Sequence, residues 1–212
     1  MCGIEGQYDL VNSKWLDASN EGNYATLHNF DFTAEDGWTG EGLEFDGVDS
    51  YAEIADKSNQ RGMSELTLEC WYRPYSWEPK YYGLISKWKY PNLQHYLLGY
   101  VNDKDSGNLN FWVSDGVGHD NFGVPLPELN KITHIMATFV GGKSLKIYYN
   151  GILQGSQSTT VERIYNITKE PLYVGRYATY SCHGEIYGAR IYPKALTDAE
   201  VLQNYLAGKN SP

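Results

Sequence analysis

Between residues 42 and 192, short apolar–polar alternations recur, most of them bounded by turn-forming residues, and this punctuation constrains the fold more than any other feature of the chain. A period of two puts successive side chains on opposite faces of an extended strand. Residues 42–54 show the pattern in miniature. Leu43 and Phe45 fall on one face and Glu44 and Asp46 on the other, and Ala52 and Ile54 alternate with Tyr51 and Glu53 in the same way. Asp46-Gly47 supplies the turn between them, because glycine accepts a positive φ without a Cβ clash. The same reading predicts strands at 43–46, 51–54, 66–73, 83–87, 96–102, 108–113, 133–139, 144–149, 152–155, 171–176 and 184–192. Asn150-Gly151 is the strongest hairpin turn. Many short strands separated by turns predict an all-β antiparallel sandwich and exclude a doubly wound parallel sheet.

The two ends differ from this middle. Thr197-Asp198-Ala199-Glu200 is a capping box: the Thr197 hydroxyl can accept from a free amide and Glu200 can reach back. Val201, Leu202, Tyr205 and Leu206 make an apolar stripe, and Gly208 offers a stop, so one short helix is predicted at 197–207. Residues 1–41 carry sparse apolar anchors between polar turn residues. They read as a loop-rich arm lying on the sandwich of residues 42–212, with Leu27 and Phe30 docked. No internal repeat or low-complexity linker interrupts the chain, so one domain is expected.

Composition narrows the function classes. Hydrophobic residues make up 42% of 212, enough for a packed core. A formal net charge of -9 argues against nucleic acid and against anionic membrane surfaces, which need a basic face. No run approaches the roughly 18 apolar residues of a membrane span, so no membrane insertion is expected. Met1-Cys2-Gly3-Ile4-Glu5-Gly6 shows no signal-peptide pattern. Cys2, Cys70 and Cys182 follow no zinc spacing, and Cys70 sits in an apolar strand pattern that suits a buried thiol.

Several segments, taken in order, carry a resemblance. They are Phe45-Asp46-Gly47-Val48-Asp49-Ser50-Tyr51, then Leu66-Thr67-Leu68-Glu69-Cys70-Trp71-Tyr72-Arg73-Pro74, then Lys131-Ile132-Thr133-His134-Ile135-Met136-Ala137-Thr138-Phe139. Leu145-Lys146-Ile147-Tyr148-Tyr149-Asn150-Gly151 and Gly184-Glu185-Ile186-Tyr187-Gly188-Ala189-Arg190-Ile191-Tyr192 follow. Together they resemble laminin G-like domains of the concanavalin A-like lectin and glucanase superfamily. The lead-in around Trp15-Leu16-Asp17 and Leu27-His28-Asn29-Phe30 is similar to that of phage, prophage and bacterial surface proteins. The resemblance implies a two-sheet jelly-roll sandwich, mostly used for binding, placed outside the cell or on a virion surface. It also implies a structural calcium between the first hairpin and the closing strand. Asp46 and Asp49 are the candidate ligands, the alternative being that they only shape a turn. Where relatives carry an acidic pair after Gly-x-Ile, this chain has Tyr187-Gly188.

Catalysis lacks its usual residues. Glycosidases of the superfamily need two carboxylates at a set separation, and Glu44-Phe45-Asp46 breaks at the Asp-Gly turn. His28, His95, His119, His134 and His183 are scattered without metal or triad spacing. The aromatic content is the anomaly: 15% of residues, including 19 tyrosines. Rings concentrate in two turn-rich segments, one with Trp77, Tyr81, Tyr82, Trp88 and Tyr90, the other with Tyr177 and Tyr180. These seven are the candidate binding residues, with at least two of the first five expected to be exposed. Flat rings stack on the apolar faces of sugars and anchor protein contacts. The expected partner is a glycan or host-surface polysaccharide. The alternative is a virion structural or decoration protein that holds protein neighbours. No enzyme activity is expected.

Overall fold

A computed structural model describes residues 2–9, 13–19, 21–32, 36–79, 81–89, 93–101, 107–166 and 170–210, with backbone only at 2–8 and 93. The first four strands are β1 (Cys2–Asp9), β2 (Lys14–Asp17), β3 (Ala25–His28) and β4 (Gly37–Trp38). Next come β5 (Leu43–Asp46), β6 (Tyr51–Ile54), β7 (Glu65–Ser76), β8 (Tyr81–Lys89), β9 (Leu93–Val101) and β10 (Asn108–Ser114). Then follow β11 (His119–Pro125), β12 (Thr133–Val140), β13 (Ser144–Tyr149) and β14 (Ile152–Ser158). The last strands are β15 (Leu172–Val174), β16 (Arg176–Tyr177), β17 (Tyr180–Ser181) and β18 (His183–Tyr192), before the helix α1 (Asp198–Gly208).

All pairings are antiparallel, as hairpin chemistry requires. At the β13–β14 turn Asn150 and Gly151 take φ of 51° and 77°, the two positive values of a tight hairpin. One layer runs β11-β10-β9-β8-β15-β6-β3, and the other β18-β7-β12-β13-β14. Inward residues of both layers form a single core that includes Phe45, Leu68, Tyr72, Leu98, Phe111, Ile135 and Ile147. At the far edge the layers approach again, where Gln157 donates to the Asn121 carbonyl at 2.9 Å. The result is the expected two-sheet jelly-roll sandwich with one short C-terminal helix.

Three expectations need correction. First, residues 1–41 supply four strands. β2 and β1 carry the hydrogen-bonded path from β3 to β18, from one layer to the other. Their sequence hid this because β2 and β3 are four residues long and bury alternate side chains only, Trp15 in one and Ala25 and Leu27 in the other. Leu27 and Phe30 do pack on the core, Phe30 edge-on to Phe45 at 5.2 Å. Second, β11 was not anticipated. His119-Asp120-Asn121-Phe122-Gly123-Val124-Pro125 is rich in strand breakers, which an edge strand pairing only with β10 tolerates.

Third, α1 turns a different face to the sheet. Its capping box forms as expected, with Glu200 Oε2 accepting from the Thr197 amide at 2.8 Å. Val201 is fully buried, but Leu202 and Leu206 are 43% and 48% exposed. Gly208 lies inside the helix, and Lys209 caps it. Tyr205 stacks on Trp71 and His134. Beneath the helix the buried Glu69 carboxylate gathers Arg190, Tyr192, Asn204 and His134 Nε2 at 2.6–3.2 Å. A buried charge tied by several donors in this way clips the helix to the outer face of β7, β12 and β18. His134 is thus a core hydrogen-bonding residue. Cys70 and Cys182 are fully buried free thiols, and desolvation drives both pKa values up, away from reactivity.

Candidate functional site, an aromatic groove

The outer face of the β8–β9–β10 layer holds two adjoining cavities. Simple alternation explains most of the lining. On β10, Leu109, Phe111 and Val113 enter the core, so Trp112 points out. On β9, Tyr96, Leu98 and Tyr100 point in, so Leu97 and Val101 point out. β8 departs from strict alternation. Tyr82 points in, and unbroken alternation would send Trp88 in as well. A register shift between Gly83 and Ile85 reverses the phase. Ile85 and Lys87 then face in, while Tyr81 and Trp88 both face out. The bulge needs the glycines that pair there: a Cβ on Gly99 would collide with the Tyr82 carbonyl oxygen and Gly83 Cα.

The first cavity, of about 270 Å3, is floored by Leu97 and Val101 and walled by Tyr81, Trp88, Trp112, His119 and Tyr177, with Gln94 as its amide. Trp88 meets Trp112 edge-on at 5.7 Å, and His119 lies 5.2 Å from Trp112. The second cavity, of about 370 Å3, shares Trp88 and Tyr177 and adds Lys89, Glu170, Tyr173, Ala178 and Thr179. The β16–β17 hairpin overhangs the junction. Its Ala178 has φ of 56°, a costly conformation for a residue with a Cβ. Arg176 holds it, donating from Nε to the Ala178 carbonyl at 2.6 Å while its guanidinium lies 3.9 Å over the Tyr51 ring.

Charge inside the groove is sparse. Burial pushes the Glu170 carboxyl above its usual range, an effect that Lys89 and Lys87 oppose and Glu53 reinforces. Burial likewise lifts the Tyr173 phenol to about 12, with Glu170 and Glu53 adding to the shift. Lys87 is fully buried behind the groove. It is paired: Nζ donates to Asp56 Oδ1 at 2.7 Å, to Gln60 Oε1 at 3.4 Å and to the Glu170 carbonyl at 2.5 Å. Desolvation lowers its pKa and the Asp56 contact partly restores it.

The seven anticipated rings divide. Tyr81, Trp88 and Tyr177 line the groove, and the 45% exposed Tyr180 stands 6.0 Å from Tyr81 at its mouth. The two sequence-distant aromatic segments therefore converge. Tyr82 is a correction: it is wholly buried in the core, because it precedes the bulge. Trp77 is another, packed half-buried on the core with its ring 5.9 Å from Tyr100. Trp88, at 6% exposure, is walled in by its neighbours and presents an edge and not an open face. Tyr90 lies outside the described residues. Trp112, His119, Glu170 and Tyr173 were not anticipated; the Trp112 orientation alone could have been read from alternation within 108–113.

Asp46 and Asp49 sit in the β5–β6 turn, away from these cavities. Asp46 Oδ1 accepts from the amides of Val48, Asp49 and Ser50 at 2.8–3.2 Å and from Ser50 Oγ at 2.7 Å. Burial raises its pKa, but these hydrogen bonds outweigh burial and the net shift is downward. Glu185, the acidic residue nearest in sequence to Tyr187, binds Tyr187 OH at 2.6 Å and Arg73 at 3.2 Å. Among the described residues no three His, Cys, Asp or Glu side chains gather where they could hold a metal.

Layers, topology and an outer-face aromatic groove define a lectin-like jelly-roll module. The sequence matches the family described as the concanavalin A-like lectin/glucanases superfamily over residues 46–202, and the chain belongs to it. No curated protein matches the sequence. Among solved structures, the binding domain of botulinum neurotoxin DC in complex with SialylT aligns at a TM-score of 0.71 and 12% identity, covering 98% of this chain and 50% of that one. Trypanosoma rangeli sialidase in complex with sialic acid aligns at 0.68 and 16%, covering 98% and 33%. The binding domain of Paraclostridial Mosquitocidal Protein 1 aligns at 0.67 and 16%, covering 99% and 52%. The chain thus spans between a third and about half of the length of these proteins, and at such identities the likeness is one of fold.

Proposed function

We propose that this chain is a non-catalytic glycan-recognition module that takes a saccharide into the outer-face groove. One observation carries the reading: rings from β8, β10 and the β16–β17 hairpin converge on two cavities that share Trp88 and Tyr177. Ring edges and faces offer apolar surface to the C–H faces of sugars, while Gln94, Lys89, Thr179 and Glu170 supply donors and acceptors for hydroxyls. Two cavities side by side suit consecutive sugar units. Hydrolysis would need a pair of carboxylates, and among the described lining residues Glu170 is alone. The neurotoxin and mosquitocidal structures are described as binding domains, one of them in complex with SialylT, which agrees with a binding role. Display on a phage particle or bacterial surface is the setting we infer, resting on the lead-in resemblance, with multivalency raising modest single-site affinity.

The test is a glycan array probed with the wild-type protein, Trp112→Ala and Tyr177→Ala. Binding by the wild type and loss in both variants, with unfolding temperatures retained, supports the reading. Binding that survives both changes moves the site elsewhere. The alternative, a virion structural or decoration protein, draws on the exposed Ile152, Leu153, Leu202 and Leu206 of β14 and α1. It predicts stable self-association in light scattering that Leu153→Asp abolishes.

A further inference from the structure

The second cavity contains a group whose chemistry is unspent. Glu170 is 6% exposed and lines that cavity. Its backbone carbonyl accepts from Lys87, but no side chain or amide of the described residues donates to its carboxylate. Among the described residues only the charges of Lys89 and Lys87 balance this largely buried carboxylate, whereas Glu69 and Glu185 are each held by several donors. The rings of Trp88, Tyr173 and Tyr177 surround the same space.

We propose that the second cavity is a subsite for an uncharged sugar ring, whose hydroxyls donate to the Glu170 carboxylate, and that Glu170 makes the groove reject acidic glycans. The inference rests on the glycan reading above and specifies the class of sugar. Two carboxylate oxygens offer about four acceptor positions, which suits neighbouring hydroxyls on one face of a pyranose. Lys89, on the lining, is the matching donor for a ring or hydroxyl oxygen. A sialic or uronic carboxylate would meet a like charge in a partly dry cavity, where repulsion is weakly screened. Lys89 and Lys87 are the cations that act on Glu170, and Glu53 is the other charge that does so; Lys87 is balanced by Asp56, which leaves Lys89 to disfavour a cationic amine.

The experiment uses immobilised glycan pairs that differ only by a terminal acid: lactose against 3′-sialyllactose, and neutral against uronic-acid-capped β-linked oligosaccharides. Chitotriose and its deacetylated, cationic form make a third pair. The wild type should bind the neutral member of each pair about tenfold better or more, the range expected for hydrogen bonds to a charged acceptor. Glu170→Gln should lose neutral-sugar affinity and compress the neutral-to-acidic ratio to within about threefold, by the same arithmetic. The wild-type ratio decides even if the variant folds poorly, and Glu128→Gln, on another face, controls for net charge. Preference for the acidic or cationic members, or a ratio untouched in a folded Glu170→Gln, overturns the inference while leaving a glycan module. Absence of binding to every glycan overturns the glycan reading and this inference with it.

Discussion

Trp88 walls both cavities although almost none of it meets solvent, so its removal should act twice. Trp88→Ala should lower unfolding free energy by about 3 kcal/mol or more, as large-to-small changes of buried aromatics do, and abolish binding. Trp112 is half-buried, and Trp112→Ala should weaken binding by about 1–2 kcal/mol with a smaller loss of stability. Denaturant titration beside isothermal calorimetry separates the two effects; equal stability losses would show Trp112 to be core. Asp46 offers a test by pH. Its folded pKa lies below the ordinary value near 3.8, so the folded state holds that proton less tightly. Its contribution is therefore present above the ordinary value and lost as pH falls through the lower folded one. Asp46→Asn should flatten the acid limb of the stability curve below about pH 4. Calcium and chelator should leave the wild-type midpoint in place. A calcium-dependent rise that Asp46→Asn removes would show Asp46 to be a calcium ligand.

Among the elements, β8 and α1 decide what the molecule presents. The β8 bulge sends Trp88 outward, and its glycine pair has no room for a Cβ. Gly99→Ala should cost about 1–3 kcal/mol through forced backbone shifts and should reduce binding at the same time. Retained binding in that variant would show that the bulge does not set the groove. On α1, Val201→Ala removes two buried methyl groups and should cost about 2 kcal/mol. Leu202→Ala and Leu206→Ala should stay within about 0.5 kcal/mol, as exposed positions do. Chemical denaturation ranks the three, and a reversed order would show that the helix docks on its other face.

At the scale of the whole molecule, β1 and β2 join the layers. Removing residues 1–28 would strip β1 from β18 and β3 from β6, uncovering paired edges and taking Trp15, Ala25 and Leu27 out of the core. The shortened chain should lose its cooperative thermal transition in calorimetry. A sharp transition close to that of the full chain would return these residues to the role of a dispensable arm.

Local rules reached far into this protein because they act over a few residues. Period-two alternation marked nearly every strand from Leu43 to Tyr192, Asn150-Gly151 turned its hairpin, and Thr197-Asp198-Ala199-Glu200 capped its helix. The order of these motifs identified the family. Alternation states that two faces differ, but it does not say which face meets a second layer, and a single bulge reverses the answer. Tyr82 and Trp88 lie in one ring-rich segment, yet one is core and the other walls the groove. Glu170 and Tyr177 reach that groove only because β15 pairs beside β8, a contact between residues far apart in the chain. Most strands from Leu43 onward, their turns and the family were thus determined by the sequence alone, whereas β1–β4 and β11 were not. The groove and the place of Glu170 in it were decided by tertiary structure, since long-range pairing and bulge parity have no local signature.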